Sequence, residues 1–296
     1  MKDVREILKK RPLLFDGGMG TYYNAAPGQE CEQANRTDPE GILAVHRAYL
    51  DAGADAIKTN TFGLTRMAAA HDPAWKALAE AGWELARRAG AQTDTAVFAD
   101  IGPAPDTEAL PAAQLYTALA DCFLALGAKN FLFETLSADT GVAEAAKRIK
   151  QAAPDAFVLV SFAVLPDGYT REGQHCAELV RRMEACGAVD AVGLNCVSAP
   201  GAMGELVQKL GGVKLPLSVM PNAGYPVVTR TRVQYRGRPE YFAQELAKLA
   251  ARGVRILGGC CGTTPRHIAA LRRALDALPQ TLPAAPAVQL SAAPKP

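Results

Sequence analysis

The chain predicts a single (β/α)8 barrel, and three observations carry that prediction. Eight short apolar runs, rich in β-branched and aromatic residues, alternate with longer helix-like segments along nearly the whole length. The runs are almost continuously apolar, as in parallel strands covered on both faces. At 296 residues the chain is long for one sandwich and ordinary for one barrel. A doubly wound open sheet is the alternative. The number of runs and the lack of G-x-G-x-x-G after the first of them speak against it.

The strand candidates are Pro12–Asp16, Ala54–Asn60, Thr95–Ile101, Lys129–Glu134, Phe157–Ala163, Val189–Cys196, Leu215–Asn222 and Gly253–Gly259. Between them lie helical segments, among them Asp38–Asp51, Pro73–Gly90, Pro111–Leu126, Gly141–Ala152, Gln174–Cys186 and Pro239–Ala251. Asp38 before Pro39 reads as an N-cap followed by proline at the first helical position, and Thr264 before Pro265 repeats the signal. Gly53, Gly90, Gly127, Gly187 and Gly253 each fall where a helix should end, a place that favours left-handed glycine. Residues 1–278 are thus expected to form one domain. Residues 279–296, rich in proline and alanine, read as a flexible tail or linker, either a plain extension or a lead to a partner domain.

Composition narrows the function. Hydrophobic residues make up 49% and charged residues 21%, which fits a globular enzyme with a large core. The formal net charge is +2 and no basic block stands out, so no nucleic-acid partner is expected. The Arg-rich stretch Arg230–Arg238 reads as a solvated loop. Met1–Arg11 is charged and amphipathic, without the apolar core of a signal peptide, and no apolar run is long enough to span a membrane. A cytoplasmic protein is expected, in which the seven cysteines stay reduced.

Active sites of such barrels lie at the C-terminal ends of the strands. Polar residues and glycines gather there: Asp16 to Thr21, Lys58 to Gly63, Asp100, Glu134 and Thr135, Ser161, Asn195 and Cys196, Pro221 to Gly224, and Gly258 to Thr264. The sharpest signal is cysteine. Cys260 and Cys261 are adjacent where the last strand enters a glycine-flanked loop, and Cys196 ends the sixth strand. Three thiolates with one open position make a catalytic zinc site, suited to binding an incoming thiol and lowering its pKa. Spacing alone leaves open that Cys196 is core and the pair incidental. Cys122, Cys176 and Cys186 read as packing residues, and Cys31 as a loop residue without a partner. The histidines do not supply a hydrolytic zinc site: His46 and His175 read as helical, His71 as loop, and His267 as structural near the start of the last helix.

The segments LFDGGMGT (Leu14–Thr21), AGADAIKTNTFG (Ala52–Gly63), GLNC (Gly193–Cys196), PNAG around Asn222 and GGCCGTTPRHI (Gly258–Ile268) together resemble the homocysteine S-methyltransferase family, over roughly Leu13 to Leu275. The resemblance implies zinc on Cys196, Cys260 and Cys261, with homocysteine sulfur in the fourth position. In relatives without substrate, the asparagine matching Asn222 can take that position. It further implies Asp16 and Glu134 near the homocysteine amino group and backbone amides of the Gly17–Gly20 loop, Gly17 and Gly18 among them, near its carboxylate. KTNTFG looks like the homocysteine domain of cobalamin-dependent methionine synthase and of fusions to methylenetetrahydrofolate reductase. FETLSADTGVAEA departs from the family's usual run after strand four, which puts a role for Asp139 in doubt, and Thr135 replaces the aromatic residue of betaine-type enzymes.

The function expected is attack of a zinc-activated homocysteine thiolate on a methyl donor, giving methionine. The donor is expected on a corrinoid or methyltetrahydrofolate-linked partner. The alternatives are a sulfonium donor such as S-methylmethionine or S-adenosylmethionine, a different thiol acceptor, or a non-catalytic homocysteine-binding subunit.

Overall fold

The computed structural model describes residues 3–25, 29–91, 93–228 and 233–279. The Pro/Ala-rich tail from residue 280 onward, with Arg230 and Arg232, lies outside the described residues. The first half runs α1 (Val4–Lys10), β1 (Leu13–Leu14), α2 (Met19–Tyr23), a 3-10 turn at Cys31–Gln33, α3 (Ala34–Thr37), α4 (Pro39–Asp51), β2 (Ala56–Lys58), α5 (Leu64–Ala69), α6 (Ala74–Gly90) and β3 (Ala96–Ile101). Next come α7 (Ala112–Ala125), β4 (Asn130–Leu136), α8 (Val142–Ala152), β5 (Phe157–Phe162), α9 (Cys176–Ala185), β6 (Ala191–Asn195) and α10 (Pro200–Lys209). The last part holds β7 (Leu217–Met220), β8 (Pro226–Val228), β9 (Val233–Tyr235), α11 (Pro239–Ala251), β10 (Ile256–Leu257) and α12 (Pro265–Asp276).

Eight parallel strands pair in the order β1-β10-β7-β6-β5-β4-β3-β2. A parallel bridge between Phe15 and Ala56 joins the two ends of that order. Asp55 N donates to Leu14 O at 2.7 Å and Asp16 N to Ala56 O at 3.0 Å across the same seam. The ring is therefore a (β/α)8 barrel, and each strand candidate read from the sequence contributes one stave.

Period-two alternation sorts the strand residues. Leu13, Phe15, Ala56, Ala96, Phe98, Leu132, Phe157, Leu159, Ala191, Met220 and Ile256 form the inner core, joined by Val4, Ile7 and Leu8 of α1. Leu14, Ile57, Val97, Phe131, Val158, Val192 and Val219 face the helices. α1 thus plugs the N-terminal mouth. Arg5 secures it with hydrogen bonds to Asp155 O and Ala156 O, both at 2.9 Å, and to Asp190 Oδ1 at 2.7 Å. Inward positions turn polar one step further along: Ala56 gives way to Lys58, Phe98 to Asp100 and Leu132 to Glu134.

The caps follow the sequence reading, with one exception among the helix-ending glycines. Asp38 Oδ1 accepts from Gly41 N at 3.1 Å ahead of Pro39. Gly53, Gly127, Gly187 and Gly253 have positive φ, but Gly90 does not: it is the last residue of α6, buried against Thr95, where an added Cβ would come within 3.2 Å of the threonine Cβ. Packing, not backbone hand, explains that glycine. The stretch read as a solvated Arg-rich loop contains β9, which pairs antiparallel with β8. Val227 and Val228 on one side of a four-residue gap, and Val233 and Tyr235 on the other, carried that hairpin signal.

Phe98 is fully buried in the inner core, 4.6 Å from the Phe15 ring and edge-on to Phe157 at 6.1 Å. Phe98→Ala should lower the unfolding free energy by about 3–5 kcal/mol, read from urea denaturation. A loss under about 1 kcal/mol would mean that this layer does not support the barrel.

Candidate metal centre and acidic floor

β6 and β10 are not neighbours; β7 lies between them. Yet the sulfurs of Cys196, Cys260 and Cys261 all lie within 4.8 Å of one another. The segment after β7 brings them together. Cys196 N donates to Met220 O at 3.0 Å and Cys260 N to Pro221 O at 2.9 Å. Asn222 N donates to Ser198 O at 3.2 Å, and Ala223 N to Cys261 O at 2.9 Å. Residues 220–223 therefore splint the two cysteine loops along their backbones.

The loops are shaped by unusual backbone. Cys196 and Val197 have φ of 58° and 51°, and Thr135 has φ of 61°. A left-handed β-branched residue is uncommon and costs about 1–3 kcal/mol, so the surroundings must enforce it. Gly262, with φ of 76°, lets the chain turn after Cys261 under the side chain of Tyr235, and an added Cβ would collide with that ring. Thr263 Oγ1 donates to Cys260 O at 2.6 Å and accepts from Gly18 N at 3.0 Å. Tyr49 OH donates to Thr263 O at 2.9 Å. The cysteine loop is thereby pinned to the loop that follows β1.

Two sulfurs held about 2.3 Å from a tetrahedral zinc stand roughly 3.8 Å apart. Cys196 Sγ and Cys261 Sγ are 3.8 Å apart. Hydrogen bonds from Cys196 and Cys260 hold the Cys261 thiol down at about 3, while bonds with Cys196 and Cys261, together with burial, push Cys260 up. A single negative charge is easy on this triad and further charge is costly, a cost that a bound cation removes. Asn222 is buried beside the triad's loops with its Oδ1 lacking a hydrogen-bond partner. The donor set and the orphan oxygen fit a metal ion.

The triad opens on a cavity of about 300 Å³, also lined by Lys58, Asp100, Glu134, Met19, Gly20 and Cys31. Lys58 Nζ lies 3.7 Å from both Asp16 Oδ1 and Glu134 Oε2. Burial alone lowers the Lys58 pKa, but Glu134 and Asp16 outweigh it and raise the group well above the usual lysine range. Burial, followed by the nearby Glu134, pushes Asp100 furthest toward its neutral form. Lys58, Asp16 and Glu134 then leave an excess of one negative charge, the complement of one ammonium.

The structure places the sequence-derived site residues unevenly. Glu134 and the three cysteines line the cavity, and Asp16 touches it through Lys58. Gly18 lines it as well, but its amide is committed to Thr263. Gly17 packs against Thr263 and Tyr49, where no side chain fits. Asp139 forms a two-pronged ion pair with Arg182 at 2.6 and 3.1 Å, an anchor between the loop that follows β4 and helix α9. Cys31, read as a loop residue, opens the 3-10 turn and lines the cavity, its thiol pushed up to about 12 by burial and the neighbouring Glu32. His267 caps α12: Nδ1 accepts from Thr264 N at 3.2 Å and Nε2 donates to Gly237 O at 3.2 Å. Lys58 and Asn195 stood at the rim in the sequence without a role. A lone lysine closing an apolar strand was the available signal for the first.

A family model for homocysteine S-methyltransferase matches residues 13–275. The chain belongs to the homocysteine S-methyltransferase family. Methionine synthase of Mycobacterium leprae is 34% identical, over 90% of this chain and 24% of its own length. Methionine synthase of Mycobacterium tuberculosis is 33% identical, over 90% of this chain and 25% of its own length. The chain thus spans about a quarter of these relatives. The metallated form of the homocysteine methyltransferase MmuM from Escherichia coli matches with a TM-score of 0.72 at 25% identity, covering 92% of this chain and 99% of that one. This family member is accordingly a barrel with three clustered cysteines at its mouth. No helix among the described residues is long and apolar enough to cross a membrane.

Burial pushes the Asp16 carboxyl up to about 6, against the pull of Lys58. Its proton is then held more tightly in the folded state, a contribution that favours folding below about pH 4 and is lost by about pH 6. Between those limits the protein should lose about 3 kcal/mol of stability relative to Asp16→Asn, measured by urea unfolding across pH. A flat difference, or one that moves the other way, contradicts this electrostatic assignment.

Proposed function

We propose that this chain transfers a methyl group to the sulfur of homocysteine, forming methionine, with a zinc ion held by Cys196, Cys260 and Cys261. One observation carries the reading: three sulfurs within 4.8 Å of each other share a cavity with a buried acidic floor. A sulfur-binding end and an ammonium-binding end in one cavity of about 300 Å³ describe a small amino-acid thiol. Family membership names homocysteine.

Asp16 and Glu134 pair with the substrate ammonium, and Lys58 keeps both carboxylates charged out of water. The substrate carboxylate falls to amides at the start of α2, Met19 and Gly20, since that of Gly18 is already committed. Asn222 Oδ1, buried without a hydrogen-bond partner, is the oxygen that would help hold the ion in the absence of substrate. When bound, zinc supplies the positive charge that makes the substrate thiol a thiolate near neutral pH. The residues of this chain then hold that sulfur toward the open mouth of the cavity, where the donor approaches. No general base is needed in the pocket, and no histidine is among the residues that line it.

For the donor, the KTNTFG run and the methionine synthase relatives, of which this chain spans a quarter, support a methyl-corrinoid or methyltetrahydrofolate-linked partner. The match across 99% of MmuM, a homocysteine methyltransferase no larger than this barrel, favours a second reading in which a small sulfonium serves.

Cys260→Ala and Cys261→Ala should each lose zinc, measured by mass spectrometry of the dialysed protein, and lose methionine formation while keeping the circular dichroism of the barrel. Full activity in a zinc-free double variant ends the metal reading. With the zinc-loaded chain, methylcobalamin should yield methionine and S-methylmethionine should not. The opposite outcome gives the donor to the second reading.

A further inference from the structure

β4 does not run straight through the site. Its pairing with β5 shifts register between Phe133 and Leu136, so Glu134 and Thr135 occupy a bulge. Bulges re-aim side chains and need outside support for their unpaired backbone. Here a single side chain from β6 supplies it. Thr135 N donates to Asn195 Oδ1 at 2.9 Å, and Asn195 Nδ2 donates to Thr135 Oγ1 at 2.8 Å. The first of these bonds fixes the amide's orientation, because a backbone N–H requires the oxygen. The NH2 group must then face the other way. It lies 3.2 Å from Glu134 Oε2 and 4.0 Å from Cys260 Sγ. Asn195 is completely buried.

One amide therefore touches a sulfur of the metal centre, the carboxylate facing the amino group, and the strained residue between them. We infer that Asn195 is a positioning residue that ties the metal centre to the ammonium site, so that the barrel selects α-amino thiols over thiols lacking the amino group. This rests on the homocysteine reading above. The argument is geometric. Glu134 is otherwise contacted only by Lys58, at 3.7 Å, among its hydrogen-bond and ion-pair partners in the described residues. Without the amide, Glu134 loses its one directional donor and Thr135 N loses its acceptor. Cys260 loses a donor of the kind that, around metal ligands, commonly alters metal affinity 10- to 100-fold.

The test compares two acceptors on the zinc-loaded full chain: homocysteine and 4-mercaptobutyrate, its analogue without the amino group. Both are titrated calorimetrically into wild type, Asn195→Leu, which keeps the volume, and Asn195→Ala. The expected result is homocysteine binding weakened about 10- to 100-fold in both variants, with 4-mercaptobutyrate nearly unchanged, and weaker zinc retention in chelator competition. Equal weakening of both acceptors, or no weakening, overturns the inference. So does loss of the folded barrel in both variants, which assigns Asn195 to the scaffold. A wild type that binds zinc but not homocysteine fails the homocysteine reading instead, and the two failures stay distinct.

Discussion

Everything at the mouth of this barrel depends on a short backbone splint. Three sulfurs from two strands that do not touch can share one ion only if the strand between them holds both loops in place. Met220 to Ala223 do this with four main-chain hydrogen bonds, two to each loop. Main-chain bonds suit the task because they set position without depending on side-chain rotamers. The strain at Cys196 and Val197 follows from it. The chain must leave β6 sharply to aim a sulfur inward, and the bond from Cys196 N to Met220 O holds it in that conformation. Asn222 belongs to the splint itself, so whatever its side-chain oxygen contacts is fixed relative to the cysteines.

The second constraint is electrostatic. Three carboxyls and one ammonium are buried together below the sulfurs. Burying charge is costly unless it is paired, and here the pairing is incomplete by one unit. That imbalance has a direction. Lys58 stays charged between Asp16 and Glu134, while Asp100 is pushed toward its neutral form. The protein accepts a destabilised floor that one more cationic group would relieve. Such stored cost is found at binding sites and has no use in a packing core. The inner layers beneath are apolar and aromatic, which keeps water from relieving the imbalance first.

Much of this was legible in the sequence. The eight staves, the helix caps at Asp38 and Thr264, and the adjacency of Cys260 and Cys261 are local patterns, and local patterns survive folding. What could not be read was relational. Gly90 shares its place in the sequence with glycines of positive φ, and only the proximity of Thr95 separates it from them. Gly18 has a free amide on paper, and only Thr263, 245 residues away, occupies it. The β8–β9 hairpin was hidden because the arginines of that stretch resemble a solvated loop, although valines stand on both sides of it at Val227, Val228 and Val233. Lys58 was visible at the rim, but its meaning comes from two carboxylates on other strands. Asn195 adjoins a cysteine that draws all the attention, and nothing in GLNC announces that its amide reaches a bulge on another strand.

The bulge in β4 shows how these parts become one device. A regular strand would place Glu134 inward and Thr135 outward, and the two would not act together. The extra residue rotates the chain, puts Thr135 at the cavity wall in a left-handed conformation, and leaves its amide proton in need of an acceptor. Asn195 meets that need with its oxygen, and the planarity of the amide then sends its nitrogen toward Glu134 and Cys260. The direction of the donor is set by the backbone irregularity on one strand and read out by a sulfur on another. A barrel with a regular β4 could hold the same three cysteines, but its metal centre and its acidic floor would be independent. Here the irregularity joins the cysteine cluster and the acidic floor through one side chain.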